Sequence, residues 1–384
     1  MESYLDNSAT TRCSKAATDK MVLLLTQEYG NPSSMHMKGV DAEKEVTAAK
    51  KKIAKTLKCQ EKEIVFTSGG TESNNLAIIG SVNANKRLGK HVITTGIEHA
   101  SVSNPMKYLE ENGYEVTYLG VDSYGVISLE ELKAALRPDT VLVSIMHVNN
   151  EIGAIQPVEE AGRLIKANNP NTVYHVDAIQ SYGKLTVIPK KIGCDLLSVS
   201  GHKIHGPKGS GFLYIKDKTR IRPIILGGGQ QKGMRSGTEN VPAIAGLGVA
   251  AEEIYTDFEA KVNHMYELRD YFISEVTKIE GVSVNGRHDH QSAPHIVSVS
   301  IDGVRAEVML HTLEDRQIYV SAGSACSSNK PSVSATLKGI GLADKLLDST
   351  VRFSFCVDTT KEELDYALEV MRDVIPKLQR YTRR

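Results

Sequence analysis

Ser198-Val199-Ser200-Gly201-His202-Lys203-Ile204-His205-Gly206-Pro207-Lys208-Gly209-Ser210-Gly211 is the stretch from which the rest of the chain is read. A short apolar run, Cys194-Asp195-Leu196-Leu197-Ser198-Val199-Ser200, leads into it, and Gly211-Phe212-Leu213-Tyr214-Ile215 leads out. Both have the length and composition of strands. Lys203 therefore sits at a strand end. Burial there disfavours the ammonium form and lowers its pKa. An amine with a lowered pKa can attack a carbonyl carbon and form a Schiff base. Ser200, Gly201 and Gly206 let the backbone approach a ligand closely. Taken alone, the stretch also fits a surface lysine in a turn.

Composition narrows the field. A chain of 384 residues fits about two domains, or one large domain and a small one. Hydrophobic residues make up 41% and charged residues 24%, a globular balance and not a disordered one. Lys+Arg and Asp+Glu both number 46, so the formal charge cancels and leaves no footprint for nucleic acid or an acidic membrane surface. The apolar run Val22-Leu23-Leu24-Leu25 is too short to span a bilayer, and the acidic Met1–Asp6 segment lacks a signal-peptide pattern. Five cysteines without a C-x-x-C pair argue against a disulfide framework or a zinc ribbon. The expectation is a reducing, cytoplasmic setting with no metal site.

Along the chain, strands and helices alternate. Strands are expected at Ile64–Thr67, His91–Thr95, Glu115–Leu119, Thr140–Val148 and Thr172–Val176. Helices are expected near Ser14–Thr26, Asp41–Leu57, 68–83, Ala100–Glu111, Leu129–Leu136 and Val158–Ala167. Near-continuous apolar strands in a β-α repeat imply an α/β fold, a mostly parallel sheet covered on both faces. After Gly248 the pattern changes to a long helical region, Ala250 to Lys278, followed by short strands and a last helix from Lys361. The domain boundary is placed near residue 256.

Several residues gather at successive strand ends, where α/β sheets bind ligands. Asp177 closes Tyr174-His175-Val176-Asp177, and a buried carboxylate calls for a positive partner such as a pyridinium nitrogen. Gly69-Gly70-Thr71 opens a helix, where free amides and the helix dipole favour a phosphate. Glu98-His99-Ala100-Ser101 offers an imidazole able to stack on a ring, and Ser200 and His202 are donors beside Lys203. Each has a plain alternative as a helix cap or a satisfied polar residue. Together they match the requirements of pyridoxal phosphate.

The chain resembles the NifS/IscS-type cysteine desulfurases over nearly its whole length. The resemblance is carried by Tyr4–Thr11 (YLDNSATT), Gly30–His36 (GNPSSMH), Thr67–Asn75 (TSGGTESNN), Glu98–His99 and His147–Gly153 (HVNNEIG). It continues in His175–Gln180 (HVDAIQ), Ser200–Gly209 (SGHKIHGPKG), Gly233–Asn240 (GMRSGTEN), Ser321–Ser327 (SAGSACS) and Val351–Ser354 (VRFS). It implies the type I fold of pyridoxal-phosphate enzymes: a large domain with a mostly parallel mixed sheet, residues 15–256, and a smaller α+β domain, residues 1–14 and 257–384. Lys203 would form the Schiff base and move protons, Asp177 would pair with the ring nitrogen, and Gln180 with the ring hydroxyl. His99 would stack over the ring and assist proton transfer. Gly70, Thr71, Ser200 and His202 would hold the phosphate. Thr238 would reach the phosphate of a neighbouring subunit, so a homodimer is expected. Asn150 and Arg352, with Asn7 nearby, would hold the substrate carboxylate.

Cys326 discriminates among the chemistries this fold supports. Its surroundings, Gly323 to Ser332, are small and polar, the composition of a mobile exposed loop. The resemblance implies that its thiolate takes sulfur from L-cysteine, releasing alanine and leaving a persulfide for a sulfur-acceptor protein such as an iron–sulfur scaffold. Cys13, Cys59, Cys194 and Cys356 are expected to be structural. Ala322 departs from the serine common before the Gly-Ser-Ala-Cys run. The sequence given ends at Arg384, soon after its last helix, whereas the resemblance implies a longer C-terminal tail in relatives that dock an iron–sulfur scaffold, so docking in that manner stays an open question at this point. The alternative is a selenocysteine lyase or an aminotransferase-like enzyme in which Cys326 is dispensable.

Overall fold

The computed structural model describes residues 1–322 and 333–382. Among these, seven strands form the central sheet. From edge to edge they are Glu115–Leu119, His91–Thr95, Thr140–Met146, Val173–Asp177, Leu196–Ser200, Gly211–Ile215 and Ile64–Thr67. The first five are parallel to one another, and Gly211–Ile215 runs antiparallel to both strands beside it. Thr140–Met146, Val173–Asp177 and Leu196–Ser200 are buried at every position, which is why they read as apolar runs without alternation. Parallel pairing brings Thr95, Met146, Asp177 and Ser200 to one edge of the sheet. Gly211 joins them there, opposite both Ser200 and Thr67.

Helices cover the sheet. Met37–Leu57 packs on Val241–Tyr255, and a Cβ at Gly248 would lie 2.8 Å from Ala49 Cα, so only glycine allows this approach. A second apolar core joins Leu5, Phe272, Val299, Met309, Phe353 and Leu368. It lies against the antiparallel sheet of Ser321–Ala322, Thr350–Ser354, Ile296–Ile301 and Val282–Asn285. Ser3–Tyr4 pairs with Ile318–Tyr319, and the chain then crosses to the large sheet, where the Thr11 N–H donates to His202 O at 2.8 Å.

The long helical region from Ala250 to Lys278 is two helices, Val241–Tyr255 and Phe258–Val276. Thr256 is extended and Asp257 is left-handed at φ 52°, a conformation that short polar side chains tolerate. Apolar periodicity continues on both sides, so the pattern hides the break. Met37–Leu57 begins earlier than expected because His36 caps it, its Nδ1 accepting the Gly39 N–H.

Arg269, fully buried, ties the second core to the loop beside the ligand edge. It donates to Ser292 Oγ at 2.8 Å, Ser292 O at 3.1 Å and Ala293 O at 3.3 Å, and it pairs with Asp270 at 2.7 Å. The Ala293 N–H in turn donates to Gly153 O at 2.8 Å, fixing the turn that carries Asn150. Arg269→Ala takes the guanidinium donor from Ser292 Oγ and Ala293 O, while Ser292 O keeps the Tyr266 hydroxyl at 3.1 Å. We expect a loss of about 2–3 kcal/mol in unfolding free energy by urea titration; a loss within experimental error would show that the loop is held elsewhere.

Candidate active site

A cavity of about 600 Å³ opens at the edge of the sheet where the parallel strands end. Gly70, Thr71, His99, Asn150, Asp177, Gln180, Ser200, His202, Lys203 and Arg352 all line it. Asn7 and Thr238 do not. Asn7 Nδ2 is spent on Tyr4 O at 3.0 Å and Ser354 O at 3.1 Å, and its neighbours Ser8 and Ala9 line the cavity instead. Thr238 is exposed. Cys326 lies outside the described residues; Ala322 and Val333, the described residues on either side of that segment, both line the cavity.

Lys203 ends the short turn Gly201–Lys203, which closes through Ile204 N–H to Gly201 O at 3.0 Å. Its Nζ donates to Ser8 O at 2.5 Å and Ala9 O at 2.7 Å, so the N-terminal crossing holds the amine. A second lysine supports the turn from behind. Lys184 Nζ donates to the Lys203 carbonyl at 2.5 Å. Burial, and then the charge of Lys203, push Lys184 down to about 7.

Asp177 ends its strand as a buried residue. Its Oδ1 accepts the Ile179 N–H at 2.9 Å and its Oδ2 accepts Asn74 Nδ2 at 2.8 Å. Burial pushes the carboxyl up; the two hydrogen bonds and the charges of His99 and Lys203 oppose it. His99 caps helix Ala100–Glu111, Nδ1 accepting the Ser101 N–H at 3.1 Å. Burial holds His99 below the ordinary imidazole value; Asp177 opposes this, and Lys203 and Arg352 add to it. His202 is pushed down to about 4, by burial and then by the nearby lysines.

Arg352 donates from Nη1 to Asn150 O at 2.8 Å and from Nη2 to Asp6 Oδ1 at 2.9 Å. Its buried Nε–H has no partner among the described residues. A guanidinium with a donor to spare at the cavity wall suits a carboxylate. Asn149 builds the turn beneath it. Its Oδ1 accepts from Glu151 N–H and Ile152 N–H, and its Nδ2 donates to Ile97 O at 3.1 Å. Gln180 is oriented by Ser8 O at 3.0 Å and His295 Nε2 at 3.2 Å.

Sequence reasoning did not single out Asn74, Lys184 or the carboxyl of Glu98. Glu98 Oε1 accepts from the Met146 N–H at 2.8 Å and Thr95 Oγ1 at 2.9 Å, while burial pushes its carboxyl up to about 8. The signals were present in Thr67–Asn75 and beside His99, but an Asn or Glu in a polar motif reads first as a cap. Possible metal donors do gather away from the cavity, in His205, Cys356 and Asp358, within 4.8 Å of one another. There the His205 Nδ1 carries hydrogen, because it donates to Arg12 O at 3.1 Å, so that nitrogen is not presented as a ligand.

The cavity fits pyridoxal phosphate on its own geometry. Helix Gly70–Asn85 points its first-turn amides at the cavity end, an anion cradle. A Cβ at Gly70 would lie 2.2 Å from Ile179 Cδ1, so glycine there leaves the Ile179 side chain in place beside the cradle. Asp177 offers a buried carboxylate that a protonated ring nitrogen would keep ionised. Lys203 offers the amine.

The description "aminotransferase class-V" matches residues 3–367. The chain is 43% identical over 379 residues to the cysteine desulfurase IscS of Dictyoglomus turgidum, covering 98% of this chain and 95% of that protein. It is 45% identical over 381 residues to the cysteine desulfurase IscS of Vibrio vulnificus, covering 98% and 93%. Among solved structures, a NifS-like protein superposes with a TM-score of 0.93 at 38% identity, covering 98% of this chain and 100% of that one. The structure described as SspA in complex with cysteine superposes at 0.80 with 36% identity, covering 93% and 100%. The strand order, the cavity at the strand ends and these matches agree: the chain belongs to the class-V aminotransferase family, among the IscS- and NifS-type cysteine desulfurases.

Proposed function

We propose that this protein is a pyridoxal-phosphate-dependent cysteine desulfurase, which takes sulfur from L-cysteine, releases L-alanine and leaves a persulfide on Cys326. The observation that carries this reading is the convergence of Lys203, Asp177, His99 and Arg352 on one cavity beside the ends of the segment that contains Cys326. When bound, the cofactor supplies an electron sink for an amino acid's Cα substituents. The first-turn amides of helix Gly70–Asn85, with Thr71, Ser200 and His202, bind its phosphate. Asp177 holds the proton on the ring nitrogen, and Gln180 hydrogen-bonds the ring hydroxyl. Arg352 and Asn150 orient the substrate carboxylate, and the Lys203 amine moves the proton at Cα.

Cys326 does the sulfur chemistry. Its thiolate attacks the substrate sulfur, an S–S bond forms, and the C–S bond breaks. The electron pair of that bond passes to the substrate carbon, which takes up a proton and leaves in alanine. Burial pushes Cys59 up to about 12 and raises Cys194 and Cys356 as well, which suppresses their thiolates. Neither they nor Cys13 line the cavity. Cys326 follows the cavity residue Ala322 by four positions.

The proposal extends to the assembly. A homodimer is supported by Thr238, exposed and away from its own chain's cavity, and by the exposed apolar side chains of Met35, Met37 and Leu226. In it, Thr238 of the partner subunit would complete the phosphate site. The two separate cores support a large domain of residues 15–256 and a small one of 1–14 and 257–384. A sulfur-acceptor protein, such as an iron–sulfur scaffold, receives the persulfide sulfur. No described helix is long and apolar enough to cross a membrane, and the free Cys13, Cys59, Cys194 and Cys356 support a reducing, cytoplasmic setting.

Cys326→Ser keeps the size and polarity of the side chain and removes the sulfur nucleophile. The variant should bind cysteine and shift the visible spectrum while forming essentially no alanine. Wild type treated with cysteine and no reductant should gain about 32 Da, one sulfur atom, on the Cys326 peptide, removable by reductant. Alanine at the normal rate from the variant would instead favour a selenocysteine lyase or aminotransferase-like enzyme. Asp177→Asn should slow alanine formation by more than about tenfold, or 1.4 kcal/mol. A smaller effect would make Asp177 a structural residue.

A further inference from the structure

Asp177 and His99 are joined through two residues to which the proposed chemistry assigns no role. Asn74 Nδ2 donates one hydrogen to Asp177 Oδ2 at 2.8 Å and the other to Ser101 Oγ at 2.9 Å. Ser101 Oγ lies 2.8 Å from His99 Nδ1. That nitrogen also accepts the Ser101 backbone N–H at 3.1 Å. Both side chains of the bridge are buried, Asn74 at 0% and Ser101 at 6% exposure.

The direction of every bond in this chain is fixed by chemistry. A carboxylate accepts, so the atom of Asn74 that faces Asp177 is the amide nitrogen. That nitrogen's second hydrogen goes to Ser101 Oγ. His99 Nδ1 already accepts a backbone N–H, so it carries no hydrogen of its own. The Ser101 hydroxyl hydrogen therefore points to His99 Nδ1, and the hydrogen of the neutral imidazole sits on Nε2. Two donors aimed at Nδ1 oppose its protonation.

We propose that Asn74 and Ser101 are positioning residues that lock His99 as the Nε2–H tautomer and tie its ring to the carboxylate of Asp177. His99 then serves the reaction as a hydrogen donor through Nε2 and not as a base. Asn74 supports both ends at once: it donates to Asp177, favouring the carboxylate, and it sets the direction of the Ser101 hydroxyl. This inference rests on the desulfurase reading for its consequence in turnover, but not for its geometry.

The test reads the ring directly. Histidine side-chain ¹⁵N spectra of the protein without cofactor, with His99→Gln to assign the signal among twelve histidines, report the tautomer and the protonation midpoint. Wild type should show hydrogen on Nε2 and a midpoint below the ordinary imidazole value. Ser101→Ala removes one donor from Nδ1, and Asn74→Ala frees the Ser101 hydroxyl to turn and accept. Each should raise the midpoint by about one pH unit and admit the Nδ1–H tautomer. Ser101→Thr, which keeps the hydroxyl, should behave as wild type. The charged and titratable groups around His99, namely Asp177, Lys203, Arg352 and the adjoining Glu98, are retained in all three variants, and the two Ser101 variants also leave the Asn74 hydrogen bond to Asp177 in place.

In the loaded enzyme, Ser101→Ala and Asn74→Ala should lower kcat for cysteine about tenfold with KM nearly unchanged, and Ser101→Thr should restore it. A His99 tautomer and midpoint identical in wild type, Ser101→Ala and Asn74→Ala would overturn the proposal. Failure of wild type to desulfurate cysteine would overturn the functional reading instead, and leave the spectra to decide this one. A folded Ser101→Ala protein is confirmed by its thermal melt. If it does not fold, the Ser101→Thr and Asn74→Ala pair carries the same decision.

Discussion

The carboxylate of Asp177, buried at the end of a fully buried strand, is the constraint on which the site depends. An unpaired buried charge costs several kcal/mol, so the fold must either neutralise such a group or supply a partner. Here burial pushes the carboxyl up, while Ile179, Asn74, His99 and Lys203 hold it the other way. A protonated ring nitrogen of the proposed cofactor would add the positive charge that completes the balance. Much of the surrounding structure follows from that need. The parallel strands deliver Asp177 beside Met146 and Ser198, helix Gly70–Asn85 delivers Asn74, and His99 is aimed by its role as a helix cap.

The N-terminal segment is the second structural requirement. It starts in the second core, at Ser3–Tyr4 and Leu5, and then enters the site. The carbonyls of Ser8 and Ala9 hold the Lys203 amine, Ser8 O also takes Gln180, and Asp6 pairs with Arg352. Movement of the second core relative to the sheet would therefore be felt at the Lys203 amine, at Gln180 and at Arg352 together. Lys184, beneath the Lys203 carbonyl, stiffens the same turn from the side of the large core.

Much of this was legible in the sequence. Strands such as His91–Thr95 and Gly211–Ile215 have the expected limits, because strands buried inside the sheet give short apolar runs bounded by turn residues, and the exposed edge strand Glu115–Leu119 was legible from its β-rich run between turn residues. Lys203, Asp177 and His99 stood out because a charged or polar group at the end of such a run demands a reason. The bridge of Asn74 and Ser101 did not stand out, since an Asn in a helix and a Ser beside a cap are common and their meeting is tertiary. Lys184 was hidden for the same reason: nothing local distinguishes a lysine buried against a carbonyl from a solvated one. The break at Asp257 was masked by apolar periodicity that continues on both sides. Asn7 shared a motif with the site, yet its amide is consumed in holding the backbone that Ser8 and Ala9 present.

Half-buried Lys203 and buried Lys184 are joined where the Lys184 amine donates to the Lys203 carbonyl, and of the two only Lys203 lines the cavity. The central claim, that Lys203 is the residue bonded to the cofactor, is tested most directly by borohydride reduction of the loaded enzyme followed by peptide mapping. Reduction makes the lysine–cofactor link permanent and lets mass spectrometry locate it. The account predicts a single modified residue, Lys203, and no such adduct in Lys203→Ala. A label on Lys184 or any other lysine, or none on Lys203 in an enzyme that turns over cysteine, would contradict it.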